Sequence, residues 1–159
     1  MIEPGDLVFC HSSGMIGRGI RIAQWIAGDR CVYNHVAIVD RQAPGGDWYV
    51  IQAEAAGVTD DKLLSTITPG GYHEIVPPPE HVNPDDILDF ARAQVGDPYG
   101  FLTDASIALT LVTPIFFNVM RPWSWICSAL AAESLRYAGW LHNWPDAAQV
   151  TPAQLYVAL

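Results

Sequence analysis

The sequence predicts an α+β domain, and three observations carry the prediction. Strand-like runs gather in the first half of the chain and helical runs in the second. Two β-rich stretches flank a Pro-Gly-Gly turn in "NHVAIVDRQAPGGDWYVIQAEAAGV", the pattern of a hairpin. "NPDDILDFARAQVG" has an asparagine cap, proline at the first helical position, acids in the first turn and a closing glycine. At 159 residues the chain fits one domain with a core of useful size. A composition that is 50% hydrophobic and only 16% charged points to a folded chain rather than a disordered one.

In chain order, Pro4 and Gly5 open a strand at "DLVFCH". Ile16, Ile20, Ala23 and Ala27 then fall at helical spacing before Gly28. The hairpin comes next, followed by a segment with weak signals. "YHEIVPPP" reads as a strand ended by prolines. After the Asn83-capped helix come an apolar run from Ile107 to Met120, a helix beginning at Cys127 and a short terminal helix in "TPAQLYVAL". The apolar run contains threonines, a proline and an asparagine, and it is shorter than the ~20 residues of a spanning helix. Core packing or the wall of an apolar groove accounts for it, and no transmembrane segment is expected.

Charge and cysteines narrow the function. A formal net charge of −9 argues against a nucleic-acid binder, which needs a basic face to release counterions. Arg18, Arg21, Arg30 and Arg41 fall early, a spacing that suits a solvated face better than an anion site. The 3 cysteines form no CxxC or zinc-type spacing, so a free thiol and a reducing compartment are expected. The opening "MIEPGDLVF" has no basic leader pattern, and the expected location is cytoplasmic, with delivery elsewhere needing another route.

Cys127 stands where an aromatic lead-in, "SWI", gives way to "CSALAAESLRYAG". A thiol at a helix N-terminus meets unpaired N–H groups and the positive end of the helix dipole. Such a setting generally favours the nucleophilic thiolate and offers donors to an oxyanion. The competing reading is a packed structural thiol. A nucleophile needs a base. His11, His73, His81 and His142 fall in loops, at strand ends or near prolines, whereas His35 begins the strand "HVAIVD". If the loop 41–48 is symmetric, His35 faces Glu54 across the hairpin, close enough for a carboxylate to orient an imidazole. Gln52 lies one diagonal step away on the same face and is the alternative partner. Cys10 and His11 are strand neighbours pointing to opposite faces, so they do not make a catalytic pair, and Cys10 is expected in the core. Cys31 has no assigned role.

These residues bring a family into view. The chain resembles the circularly permuted branch of the NlpC/P60 superfamily of papain-like cysteine hydrolases, which includes YiiX/YaeF-like and lecithin:retinol acyltransferase-like proteins. The resemblance rests on "PGDLVF" at Pro4 to Phe9, "HVAI" at His35 to Ile38, "GDPYG" at Gly96 to Gly100 and "CSALAAESLRYAG" at Cys127 to Gly139. The four pieces stand in one consistent rotation of the unpermuted order. The resemblance implies a papain-like fold, an antiparallel sheet packed on helices, with Cys127 as nucleophile, His35 as base and Glu54 as the orienting residue. Tyr99 and Ser128, beside the cysteine, would contact substrate together with Gln52, and "VTPAQL" matches the element closing many permuted members. Ile126 and Ala129 replace the aspartate and glycine that flank the cysteine in the wall-peptidase branch.

The resulting expectation is a thiol hydrolase cleaving an amide bond of a peptide or peptidoglycan-type substrate, with no metal or organic cofactor implied. The runner-up is a lipid-directed acyltransferase or thioesterase, touching lipid peripherally through 107–120. From another class comes a catalytically silent binding or inhibitory protein on the same fold.

Overall fold

The computed structural model describes residues 1–11, 32–68, 73–100, 124–140 and 150–159. The expected helix around Ile16 to Gly28, the apolar run 107–120, Cys31, His142 and Arg18, Arg21 and Arg30 lie outside the described residues. The rest is an α+β fold with a five-stranded antiparallel sheet and four helices. The strands are β1 (Leu7–Cys10), β2 (His35–Gln42), β3 (Trp48–Glu54), β4 (Gly57–Leu63) and β5 (His73–Val76), ordered β4-β3-β2-β1-β5. The helices are α1 (Leu64–Ile67), α2 (Pro84–Ala93), α3 (Cys127–Tyr137) and α4 (Pro152–Ala158).

Strand alternation sorts the apolar residues onto two faces. Leu7, Phe9, Val36, Ile38 and Ile51 join Ile87 and Leu88 of α2, Leu130 and Leu135 of α3 and Leu155 of α4 in the main core. Val8, Ala37, Val39 and Val50 form a smaller core with Leu64 of α1 on the other face. Small residues at Ala129, Ala131 and Ala132 let α3 lie close on the sheet, and all three are buried.

The β2–β3 hairpin is the predicted one, with Ile38 opposite Ile51 and Val39 opposite Val50. These are the pairs a symmetric loop requires. Toward the tip a bulge between Val39 and Arg41 changes the register, so that Arg41 meets Tyr49. The bulge residue Asp40 has a fully buried side chain, held by Arg92 of α2 at 2.7 Å and by Arg41. Arg41 also stacks over the Tyr49 ring at 4.6 Å. The chain then turns at Ala55 and Ala56 into β4, an edge strand whose Asp60, Asp61 and Lys62 keep it polar.

Helix ends follow their caps. The Asn83 side chain accepts from the Asp85 amide at the start of α2. Thr151 and Gln154 form a reciprocal capping box at α4. At the β5 edge of the sheet, the Glu74 carboxylate accepts from both the Tyr33 and Tyr156 hydroxyls at 2.8 Å. Tyr156 packs edge to face on both Phe9 and Tyr33 beneath that clamp and docks α4 on β1 and β5.

Candidate active site

Three separate parts of the chain meet at the start of α3. The residue before it, Ile126, is extended and gives the helix no side-chain cap. The first amides of α3 therefore have no side-chain acceptor from the N-cap position. Cys127 occupies this first turn and is buried, at 4% exposure. Ser128, next to it, is buried with no hydrogen-bond partner for its hydroxyl.

The loop carrying Tyr99 is fastened beside the cysteine from two directions. Tyr99 bridges in parallel to Trp125, the Gly100 amide donates to Trp125 O at 2.9 Å, and the Trp125 amide donates to Pro98 O at 3.0 Å. The Trp125 indole N–H donates to Asp97 Oδ2 at 2.9 Å, and the ring stacks edge-on against Phe90. On its other side the loop is tied to β4, where the Val58 amide donates to Asp97 O at 2.9 Å. Gly57 makes that approach feasible, since its φ is +108° and a Cβ would come within 2.6 Å of Asp97 O.

His35 opens β2, partly exposed and paired in register with Cys10 of β1. Its imidazole interacts with the Cys127 side chain on one side. On the other, Nε2 lies 2.7 Å from Gln52 Oε1. The Gln52 amide nitrogen in turn donates to Glu54 Oε1 at 3.0 Å. The direct partner of His35 is thus Gln52, and Glu54 stands one step behind it. That corrects the expected order, and the reason is side-chain reach. Continuing the register from Ile38–Ile51 puts Ala37 opposite Gln52, and a methyl group leaves the long amide free to lean along the diagonal. Gln52 is almost fully buried, at 1% exposure, whereas Glu54 is half-buried at the end of its strand.

The polarity of this chain of bonds is determined by what each group can do. An ionised carboxylate only accepts, so the Gln52 NH2 faces Glu54 and the Gln52 oxygen faces His35. An amide oxygen only accepts, so Nε2 carries the imidazole proton. In the neutral ring Nδ1 is then the bare nitrogen, the one able to take a proton from sulfur. Burial works against a charged His35. The neighbouring Cys127, the hydrogen bonds to Cys127 and Gln52, and the Glu54 charge outweigh it and push His35 up to about 9. Cys10 is the reverse case: burial first, and Cys127 nearby second, push its thiol up to about 12. Cys10 is a core residue as expected, but its register pairing with His35 was not anticipated.

Of the expected site residues, Cys127, His35, Gln52 and Glu54 come together in one row, hydrogen-bonded from His35 through Gln52 to Glu54. Tyr99 and Ser128 stand beside Cys127 in sequence or through the Trp125 bridge. His73 and His81 are exposed and apart from this row. The Asp97–Trp125 bond was missed, although "GDPYG" and "SWIC" held both residues. Among the described residues no group of three His, Cys, Asp or Glu side chains is placed to hold a metal ion. Among them, too, no helix is long and apolar enough to cross a membrane. No protein-family model matches the chain, and no curated protein matches it either.

Proposed function

We propose that the protein is a thiol hydrolase of the permuted papain-like type, cleaving an amide or related acyl bond through Cys127 and His35. The observation that carries this reading is the Cys127–His35–Gln52 row at an uncapped helix N-terminus. His35 Nδ1 takes the Cys127 proton, and the sulfur adds to the substrate carbonyl carbon. The oxygen gains the electron pair and lies against first-turn amides of α3. On collapse the C–N bond breaks, and the imidazolium returns its proton to the leaving amine. Water, deprotonated by His35, then attacks the thioester, releasing the carboxylic acid and the thiol. Peptide-type amides are the substrate class proposed.

A peptide-derived chloromethyl ketone tests this against a long-chain acyl thioester. The expected result is capture of the peptide probe at Cys127, lost in His35→Ala. Capture of the acyl thioester alone would move the assignment to lipid chemistry, and capture of neither would leave a binding protein.

A further inference from the structure

We propose that Glu54 is a positioning residue that fixes which end of the Gln52 amide faces His35, and through it which imidazole nitrogen carries the proton. The inference rests on the thiol-hydrolase reading and deepens it.

A primary amide is nearly symmetric in shape, and a half-turn about its last bond exchanges O and NH2 within the same volume. Packing around the buried Gln52 side chain therefore does not choose between the two orientations. Hydrogen bonding does. With its oxygen toward His35, Gln52 accepts from Nε2–H and leaves Nδ1 bare for the Cys127 proton. Reversed, its NH2 would need a bare Nε2, and the ring proton would move to Nδ1, aimed at the sulfur. That tautomer cannot take the thiol proton through Nδ1. The reversed amide would also set N–H against N–H once the imidazolium forms.

Two groups beside Gln52 are placed to decide. Thr59 is its register partner on β4, but the Thr59 hydroxyl is buried without a partner, and a hydroxyl either donates or accepts. It sets no direction. Glu54 sits two residues along the same strand, so it projects from the same face, and its oxygen takes the amide N–H at 3.0 Å. An ionised carboxylate cannot donate, so it admits one orientation only. A glutamine at this position would donate or accept equally well and admit both.

The test is a 15N-histidine long-range proton–nitrogen spectrum of the whole protein as wild type, Glu54→Gln and Glu54→Asp, with His35→Ala assigning the His35 signals. Recorded above the pH of about 9 at which His35 loses its proton, the wild-type and Glu54→Asp spectra are expected to show the neutral ring protonated at Nε2, and Glu54→Gln a mixture or the Nδ1 form. Cys127 alkylation at neutral pH falls by roughly tenfold in Glu54→Gln, the size of one lost charge-assisted hydrogen bond. Glu54→Asp, still an acceptor, stays within about threefold. An unchanged His35 tautomer in a folded Glu54→Gln overturns the proposal. Should His35→Ala leave Cys127 alkylation unchanged, the hydrolase reading fails separately, and the tautomer spectra alone decide the role of Glu54.

Discussion

Gln52 takes hold of His35 along a diagonal of the β2–β3 hairpin, oxygen to Nε2 at 2.7 Å, rather than from directly across it. This contact orients the ring toward Cys127 and becomes charge-assisted when the imidazolium forms. Gln52→Ala removes the acceptor without disturbing the cysteine. A hydrogen bond to a charged group is worth about 1.5–3 kcal/mol, so Cys127 reactivity should fall roughly 10- to 150-fold at neutral pH. Alkylation rates read this directly, with thermal unfolding followed alongside to verify that the variant is folded.

Alkaline pH should weaken the fold in two stages. His35 is raised to about 9 from an ordinary 6.5, so the folded state holds a proton there that the unfolded chain has lost. Its contribution is complete below 6.5 and disappears as pH climbs to about 9. Cys10, raised to about 12 from 9.0, acts in the same direction over the next interval, because its buried thiol must stay neutral. Urea unfolding at a series of pH values should show stability declining through both windows. Cys10→Ala should flatten the upper decline and leave the lower one.

Glu74 behaves oppositely. The hydroxyls of Tyr156 and Tyr33 hold its carboxyl below its ordinary range, so the clamp helps the folded state above that range and fades on acidification. Glu74→Gln should weaken docking of α4 at neutral pH and remove this part of the acid dependence. Amide exchange within α4 measures it.

Gly57→Ala should be costly out of proportion to one methyl group. The backbone there is left-handed, and a Cβ would press on Asp97 O at 2.6 Å. Relief means pushing away the loop that carries Tyr99 and, through Asp97, the Trp125 indole. The expected loss is more than about 1 kcal/mol of stability. Tryptophan fluorescence should shift with it, and unchanged values for both would refute the close approach.

Arg92→Ala should cost more than Arg41→Ala. Both pair with the buried Asp40 carboxylate, but Arg92 does so through two nitrogens, at 2.7 and 2.9 Å, and ties α2 to the β2 bulge. Removing it leaves a buried charge with less compensation, an effect of about 1–3 kcal/mol. Chemical denaturation of the two variants compares them.

Much of this arrangement was legible in the sequence because it depends on local signals. Asn83, Pro84 and Thr151 mark their own helix starts, and the Pro-Gly-Gly turn announces the hairpin. Alternation correctly separated Val36 and Ile38 from Ala37 and Val39. What escaped depends on side-chain reach and on partners distant in sequence. The choice of Gln52 over Glu54 turned on a diagonal lean over Ala37, which a reading of directly opposed pairs misses. β4 was obscured by its polar edge residues, and nothing near Asp40 in the sequence indicates that Arg92 will reach it. Asp97 and Trp125 both lay in noticed motifs, yet only the folded chain makes them partners.

The central claim is that Cys127 and His35 work as a pair, and the pH dependence of alkylation tests it most directly. Peptide mass spectrometry would resolve Cys127 from Cys10 and Cys31 in wild type and His35→Ala. The account predicts that Cys127 reacts rapidly at neutral pH, where His35 still carries its proton. It predicts that this behaviour is lost in His35→Ala, while buried Cys10 stays inert in the folded protein. A slow Cys127 whose rate ignores His35 would contradict it, and would make the cysteine a packed structural thiol.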